Sequence, residues 1–199
     1  MDRTRGKGKF NMSVNLRDTL GKGISPKQFM EGMQRNKEAF QTGYDSFAWV
    51  NEDDRGFFES LNSRDDLRVL ILAADWCGDV VLSVPVIFRA LEAAGIETEI
   101  LIVEEHQDVM DHFLTMGGRA VPIAIVTDTG GDVLGHWGPR PAEVQEIMIQ
   151  FKQDNPDREA SDYDEKIAVV RKQMVQKYHE GAGVDGKVVS ELRALLSKF

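Results

Sequence analysis

The chain has 199 residues, 42% of them hydrophobic, with 24 Lys and Arg against 33 Asp and Glu for a formal net charge of −9. That is enough apolar material for one sizeable core with appendages, and the acidic balance disfavours nucleic acid or an anionic membrane as a partner. A single cysteine, Cys77, excludes an intramolecular disulfide, and no stretch approaches the roughly 18 uninterrupted apolar residues of a membrane span.

Residues 1–30 hold no apolar run resembling a signal-peptide core, so a cytoplasmic protein is expected, with no nucleic-acid and no membrane partner. Arg3, Arg5, Lys7 and Lys9 lie in a short glycine-rich tract, and residues 1–24 read as a flexible N-terminal arm. Ser25-Pro26 is an N-cap followed by proline at the first helical position. Phe29, Met33, Phe40, Phe47 and Val50 then fall on one helical face, with Gly32 and Gly43 as weak points. Glu52 to Leu61 carries Phe57, Phe58 and Leu61 and reads as a second helix, so residues 25–62 form a helical N-terminal extension.

The middle of the chain alternates. Arg68–Ala73 is an apolar run of buried-strand length. Val80–Ala94 has helical periodicity and is closed by Gly95. Glu97–Val103 ends in a second strand, and Gln107–Met116 reads as a short helix stopped by Gly117 and Gly118. Val121–Thr127 and Asp132–Trp137 flank the turn Asp128-Thr129-Gly130-Gly131, a hairpin pattern. Pro139 and Pro141 precede a helix carrying Val144, Ile147, Met148 and Phe151. Strand, helix, strand, helix, hairpin, helix is an α/β order with two parallel strands joined by a crossover helix. From Asp154 the chain turns polar, and two amphipathic helices are expected at about 158–180 and 187–198. They form either a cap on the central domain or a homodimerisation surface.

Cys77 sits where a strand gives way to a helix. The free N–H groups and positive end of a helix stabilise a thiolate, the nucleophile of disulfide exchange. Asp75 and Asp79 oppose this with negative charge, and Asp79 competes for the same amides. The sequence leaves open which effect prevails.

Trp76-Cys77-Gly78-Asp79-Val80 resembles the W-C-x-x-C site of thioredoxin-like proteins. Pro85, eight residues after Cys77, matches the proline that bends their active-site helix. Gly118-Arg119-Ala120-Val121-Pro122-Ile123 resembles the segment bearing their cis-proline, and the hairpin leads on to Trp137-Gly138 before the last helix. The resemblance covers about residues 63–151. With its W-C-G-D motif and helical flanks, nearly the whole chain resembles an uncharacterised bacterial branch of thioredoxin family proteins.

The resemblance implies a thioredoxin-like α/β fold, a central mixed sheet flanked by helices, at 63–151. Helical extensions would lie at 25–62 and 152–199, the latter packed on the same core. It implies that Cys77 is the catalytic thiol, with Trp76, Gly78, Asp79, Val121 and Pro122 binding the substrate. Pro122 would pack beside Cys77, and the Val121 backbone would be free to pair with an extended partner segment.

Two departures bear on activity. The second cysteine position is Val80, so a mixed disulfide has no resolving thiol within the molecule. The buried acid six residues before the first cysteine is replaced by Ile71. The expected enzyme is therefore a monothiol disulfide oxidoreductase acting on a protein or low-molecular-weight thiol, without a cofactor. The alternative is a non-catalytic interaction module in which Cys77 is dispensable. A thiol-dependent peroxidase has less support, because no Arg or Thr stands near Cys77 in sequence. Asp108 and His112 share a helical face, but two ligands do not make a metal site, and none is expected. Phosphate-loop and dinucleotide fingerprints are missing, so no nucleotide is expected.

Overall fold

The apolar run Leu67–Ala73 forms β1, the central strand of a four-stranded sheet. In the computed structural model, which describes residues 14–199, three further strands follow: β2 (Glu97–Ile102), β3 (Ile123–Asp128) and β4 (Val133–Trp137). The order across the sheet is β2-β1-β3-β4. β1 runs parallel to β2, with Ile71 opposite Ile100, and antiparallel to β3, with Ile71 opposite Ala124. β3 and β4 form the expected hairpin, with a register irregularity between Val126 and Thr127. Its turn is held by Asp128, whose Oδ1 accepts the amides of Gly130 and Asp132.

Eight α-helices surround this sheet among the described residues: α1 (Pro26–Gly32), α2 (Lys37–Ser46), α3 (Glu52–Ser60), α4 (Gly78–Ala94), α5 (Gln107–Met110), α6 (Ala142–Asp154), α7 (Tyr163–His179) and α8 (Gly183–Leu196). α4 is the crossover between the parallel strands β1 and β2. Ten of its 17 residues are buried, because α2, α3 and α8 all pack on it. Gly95 closes it in the left-handed conformation, at φ 63°, which costs glycine no Cβ clash. Pro85 lies inside it, and the Cα of Gly43 on α2 faces that proline, where a Cβ would already be in contact. This is an α/β, thioredoxin-like fold with helices added at both ends.

The expected single helical face from Phe29 to Val50 is divided. α1 begins with a capping box, Ser25 Oγ accepting the Gln28 amide while Gln28 accepts the Ser25 amide. It ends at Gly32, and Asn36 adopts a left-handed φ of 56°. The break is fixed from a distant point in the chain. The carboxylate of Asp75 accepts the amides of Gln34 and Arg35 at 2.8 and 3.0 Å, and Asn36 Nδ2 donates to the Asp75 carbonyl. Amides bonded to a distant carboxylate cannot serve a continuous helix, so the apolar periodicity persists through two helices instead of one. α5 is likewise shorter than expected and stops at Met110.

Residues 1–13, with Arg3, Arg5, Lys7 and Lys9, lie outside the described residues. The rest of the expected flexible arm, residues 14–24, is packed. The Leu16 side chain is buried and its amide donates to the Gly131 carbonyl at 2.7 Å. Gly131 has φ 85°, and a Cβ there would meet the Arg17 backbone. At the other end Ile24 exchanges backbone bonds with Ile100 on β2, and Glu99 accepts the Gly21 and Gly23 amides.

The helical extensions share the domain core. Phe40 is fully buried and packs edge-on to Phe29 and to Phe88 of α4, at centroid distances of 5.8 and 5.7 Å. At the other end, the α8 residue Glu191 accepts both the Trp137 indole N–H and the Ala142 amide. It thereby fastens α8 to the end of β4 and the start of α6. Arg193 of α8 pairs with the buried Asp54 of α3 at 2.6 Å. A second, smaller apolar cluster of Val144, Met148, Phe151, Met174 and Tyr178 joins α6 to α7.

Because Phe40 belongs to the main core, the Phe40→Ala variant is expected to lose about 3–5 kcal/mol of stability for the whole domain. Urea unfolding followed by tryptophan fluorescence and by circular dichroism should show one shifted transition. An unshifted main transition would mean that α1 and α2 form a separate unit.

Candidate functional site around Cys77

β1 ends at Ala73, and Ala74-Asp75-Trp76 carries the chain to Cys77, the N-cap of α4. The turn is closed by the Cys77 amide donating to the Ala74 carbonyl, while the Cys77 carbonyl accepts from Val81 in the first helical bond. Cys77 makes no capping bond through its side chain. Its partly buried thiol donates to the Val121 carbonyl at 3.3 Å. That bond brings Cys77 against Val121, with Pro122 next in the chain; the Val121–Pro122 peptide is cis. The Val121 carbonyl, expected to pair with an extended partner, accepts the thiol hydrogen in this structure.

Trp76 is one of the exposed large apolar side chains, and its indole N–H donates to Glu104 Oε1 at 2.6 Å. Beside it, Ile24, Phe29, Met33, Ala74 and Ile102 line a cavity of about 360 Å³, with Gln28 and Glu104 at its rim. Asp75 is turned away from the sulfur onto the amides of Gln34 and Arg35. Gly78 has open space where a side chain would stand.

Asp79 is largely enclosed. Its Oδ2 lies 2.6 Å from Arg140 Nη2, in an ion pair whose side chains are only 13% and 15% exposed. Its Oδ1 accepts from the Tyr178 hydroxyl at 3.1 Å, and Ser83 Oγ donates to Tyr178 at 3.5 Å. Burial and the neighbouring Asp79 push the Tyr178 phenol far up, so that it remains a donor. Arg140 also donates to Gln145, while its Nε is buried with no hydrogen-bond partner.

These groups resolve the opposition seen in the sequence. Burial pushes the Cys77 thiol up, and the Asp79 charge adds to it. The Val80 and Asp79 amides and the Arg140 charge pull it down but do not prevail. The direction follows from desolvation of the thiolate, reinforced by a carbonyl that accepts the thiol hydrogen.

A family model described as Thioredoxin matches residues 23–154. The chain belongs to the thioredoxin family. The matched span takes in the N-terminal helices as well as the sheet and ends with α6, so α7 and α8 lie beyond it. The fold of this thioredoxin-family chain is also similar to that of two solved structures. One is a protein of unknown function from Pseudomonas aeruginosa, with a TM-score of 0.59 and 17% identity over 92% of this chain and 95% of that one. The other is an HIV epitope scaffold, with a TM-score of 0.56 and 16% identity over 89% and 94%. No curated protein matches the chain.

Both departures from the dithiol pattern are buried in this thioredoxin-family chain. Val80 and Ile71 are fully enclosed, so neither position offers a polar group to the thiol. Arg140, Tyr178 and Glu104 were not picked out from sequence as site residues. Arg140 carried one signal, its place between Pro139 and Pro141 just ahead of α6. Tyr178 carried none, since an aromatic on an amphipathic helix is ordinarily core. Asp108 and His112 do not share a helix, because α5 ends between them. Among the described residues no three His, Cys, Asp or Glu side chains are grouped to hold a metal ion, and no helix is long and apolar enough to cross a membrane.

Alkylation of Cys77 by iodoacetamide as a function of pH is expected to titrate above the free-thiol value of about 8.5. The urea-unfolded chain should return to that value. A folded-state midpoint below it would show that the helix amides outweigh burial.

Proposed function

We propose that the protein is a monothiol disulfide oxidoreductase in which Cys77 is the nucleophile. The observation that carries this reading is the convergence of Cys77, at the start of α4, with Val121 and Pro122. Trp76, Gly78 and Asp79 stand at the same end of the helix. In the reaction, the Cys77 thiol gives its proton to solvent and the thiolate attacks one sulfur of a partner disulfide. A Cys77–partner bond forms, the partner's S–S bond breaks, and its second sulfur leaves as a thiolate. An external thiolate then attacks the Cys77 sulfur and releases the partner as a thiolate, and a second external thiolate displaces Cys77, restoring its thiol and leaving a disulfide of the two external thiols.

The surroundings set the pace of this cycle. A raised thiol is less ionised at neutral pH but more nucleophilic once ionised, which offsets part of the loss. It is also a poor leaving group, and with Val80 in place of a resolving cysteine the mixed disulfide persists until a small thiol reaches it. The exposed Trp76 and the apolar cavity next to it form a surface on which a partner's side chains can rest.

A second reading, an interaction module with a dispensable Cys77, is favoured by one observation: the thiol is partly buried and its hydrogen is already given to Val121. Incubation with glutathione disulfide at pH 8 separates the two. Wild type is expected to gain one glutathionyl group by intact mass and lose it to added dithiothreitol, whereas Cys77→Ser gains none. A wild-type protein that stays unmodified, while its urea-unfolded form reacts, would leave the interaction module standing.

A further inference from the structure

Asp79 is the second residue of α4, where a carboxylate ordinarily settles over the unpaired amides of the helix end. Here both its oxygens point elsewhere. Oδ2 is held by Arg140 and Oδ1 by Tyr178, and no backbone amide is among its donors. The Cys77 side chain makes no capping bond either. Where the carboxylate lies is decided by two residues remote in sequence. One lies in the loop between β4 and α6. The other is on α7, outside the span that matches the thioredoxin family.

We propose that Tyr178 and Arg140 are positioning residues for the Cys77 thiol: together they draw the Asp79 carboxylate off the start of α4 and keep its charge paired, away from the sulfur. The terminal helices thereby act on the thiol without touching it. Tyr178 is fully buried between Ser83 of α4 and the α6–α7 cluster, so its hydroxyl is fixed by packing. Arg140 has Asp79 as its one ion-pair partner among the described residues, and Gln145 steadies the other arm of the guanidinium. Loss of either hold returns the carboxylate to the helix amides, where its charge acts on the sulfur at closer range.

The charged and titratable groups around the thiol are few. On its own helix there is Asp79, and from the loop before α6 there is Arg140. Tyr178 reaches in from α7, and Lys152 on α6 is lowered by burial first and then by the charges of Arg158 and Arg140. Asp75 and Glu104 are bound to the Gln34 and Arg35 amides and to the Trp76 indole. The proposal concerns the ionisation of Cys77 and stands whether or not the thiol exchanges disulfides, so its failure is separable from failure of the oxidoreductase reading.

The pH midpoint of Cys77 alkylation tests it in the full chain, with thermal unfolding measured alongside. Tyr178→Phe and Arg140→Lys are each expected to raise the midpoint, with the thiolate fraction at pH 8 falling about threefold or more. Asp79→Asn is expected to lower the midpoint, and adding Tyr178→Phe to Asp79→Asn should produce no further shift. A structural role alone would lower the unfolding temperature of Tyr178→Phe without moving the midpoint, which overturns the proposal. An equal shift from Tyr178→Phe in the Asp79→Asn background overturns it too. Should Tyr178→Phe not fold, Arg140→Lys decides by the same measurement, and an unmoved or raised midpoint in Asp79→Asn counts against the proposal in every case.

Discussion

The burial of α4 is the constraint on which the rest depends. One end of this helix is the site and its body is the common core of the protein: the sheet, the N-terminal helices and α8 all meet it. Phe88 joins the aromatic cluster of Phe29 and Phe40, and Val80, Val84 and Ile87 are fully enclosed. A close-packed interior yields little to local pressure, so the N-terminus of α4 cannot tilt to suit a reacting group. The side chains at that terminus must be arranged around a fixed row of amides.

That fixed row makes the electrostatics of the site a matter of competition. Cys77, as N-cap, makes no side-chain bond to the amides and carries a thiol whose hydrogen already has an acceptor in Val121. Asp79 carries a full charge and would ordinarily be the better ligand for them. The buried pair with Arg140 removes it, and such a pair is sustained only when its remaining hydrogen bonds are supplied. Tyr178 and Gln145 supply two of them, while Arg140 Nε goes without. Asp75, the other acid beside the motif, is engaged in the opposite direction by the loop between α1 and α2. Of the two acids flanking Cys77 in the sequence, one organises the N-terminal extension and the other joins the site to the C-terminal one.

Much of the architecture was legible because its causes are local. The strand β1 is a short apolar run, α4 has a helical period and a glycine stop, and Asp128-Thr129-Gly130-Gly131 makes a turn wherever it occurs. The W-C-G-D motif, Pro85 and Val121-Pro122 pointed to the family in the same way, and the first and last of them make up the candidate site. The errors have the opposite character. A single N-terminal helix was expected because the apolar spacing runs unbroken from Phe29 to Val50, and spacing does not register that Asp75 will bind the Gln34 and Arg35 amides. Residues 14–24 read as an arm because Leu16 and Ile24 are isolated apolar residues whose partners lie on the hairpin turn and on β2.

The motif around Cys77 was thus determined by the sequence alone: a lone thiol at a strand-to-helix turn, two acids beside it, Val80 where a second cysteine would stand, and Val121-Pro122 downstream. Whether that thiol is easy or hard to ionise was decided only by the tertiary structure. Ionisation depends on burial and on charges brought near through space. The hydroxyl that holds Asp79 belongs to a residue 99 positions away, and no local pattern of the chain records a contact made over that distance.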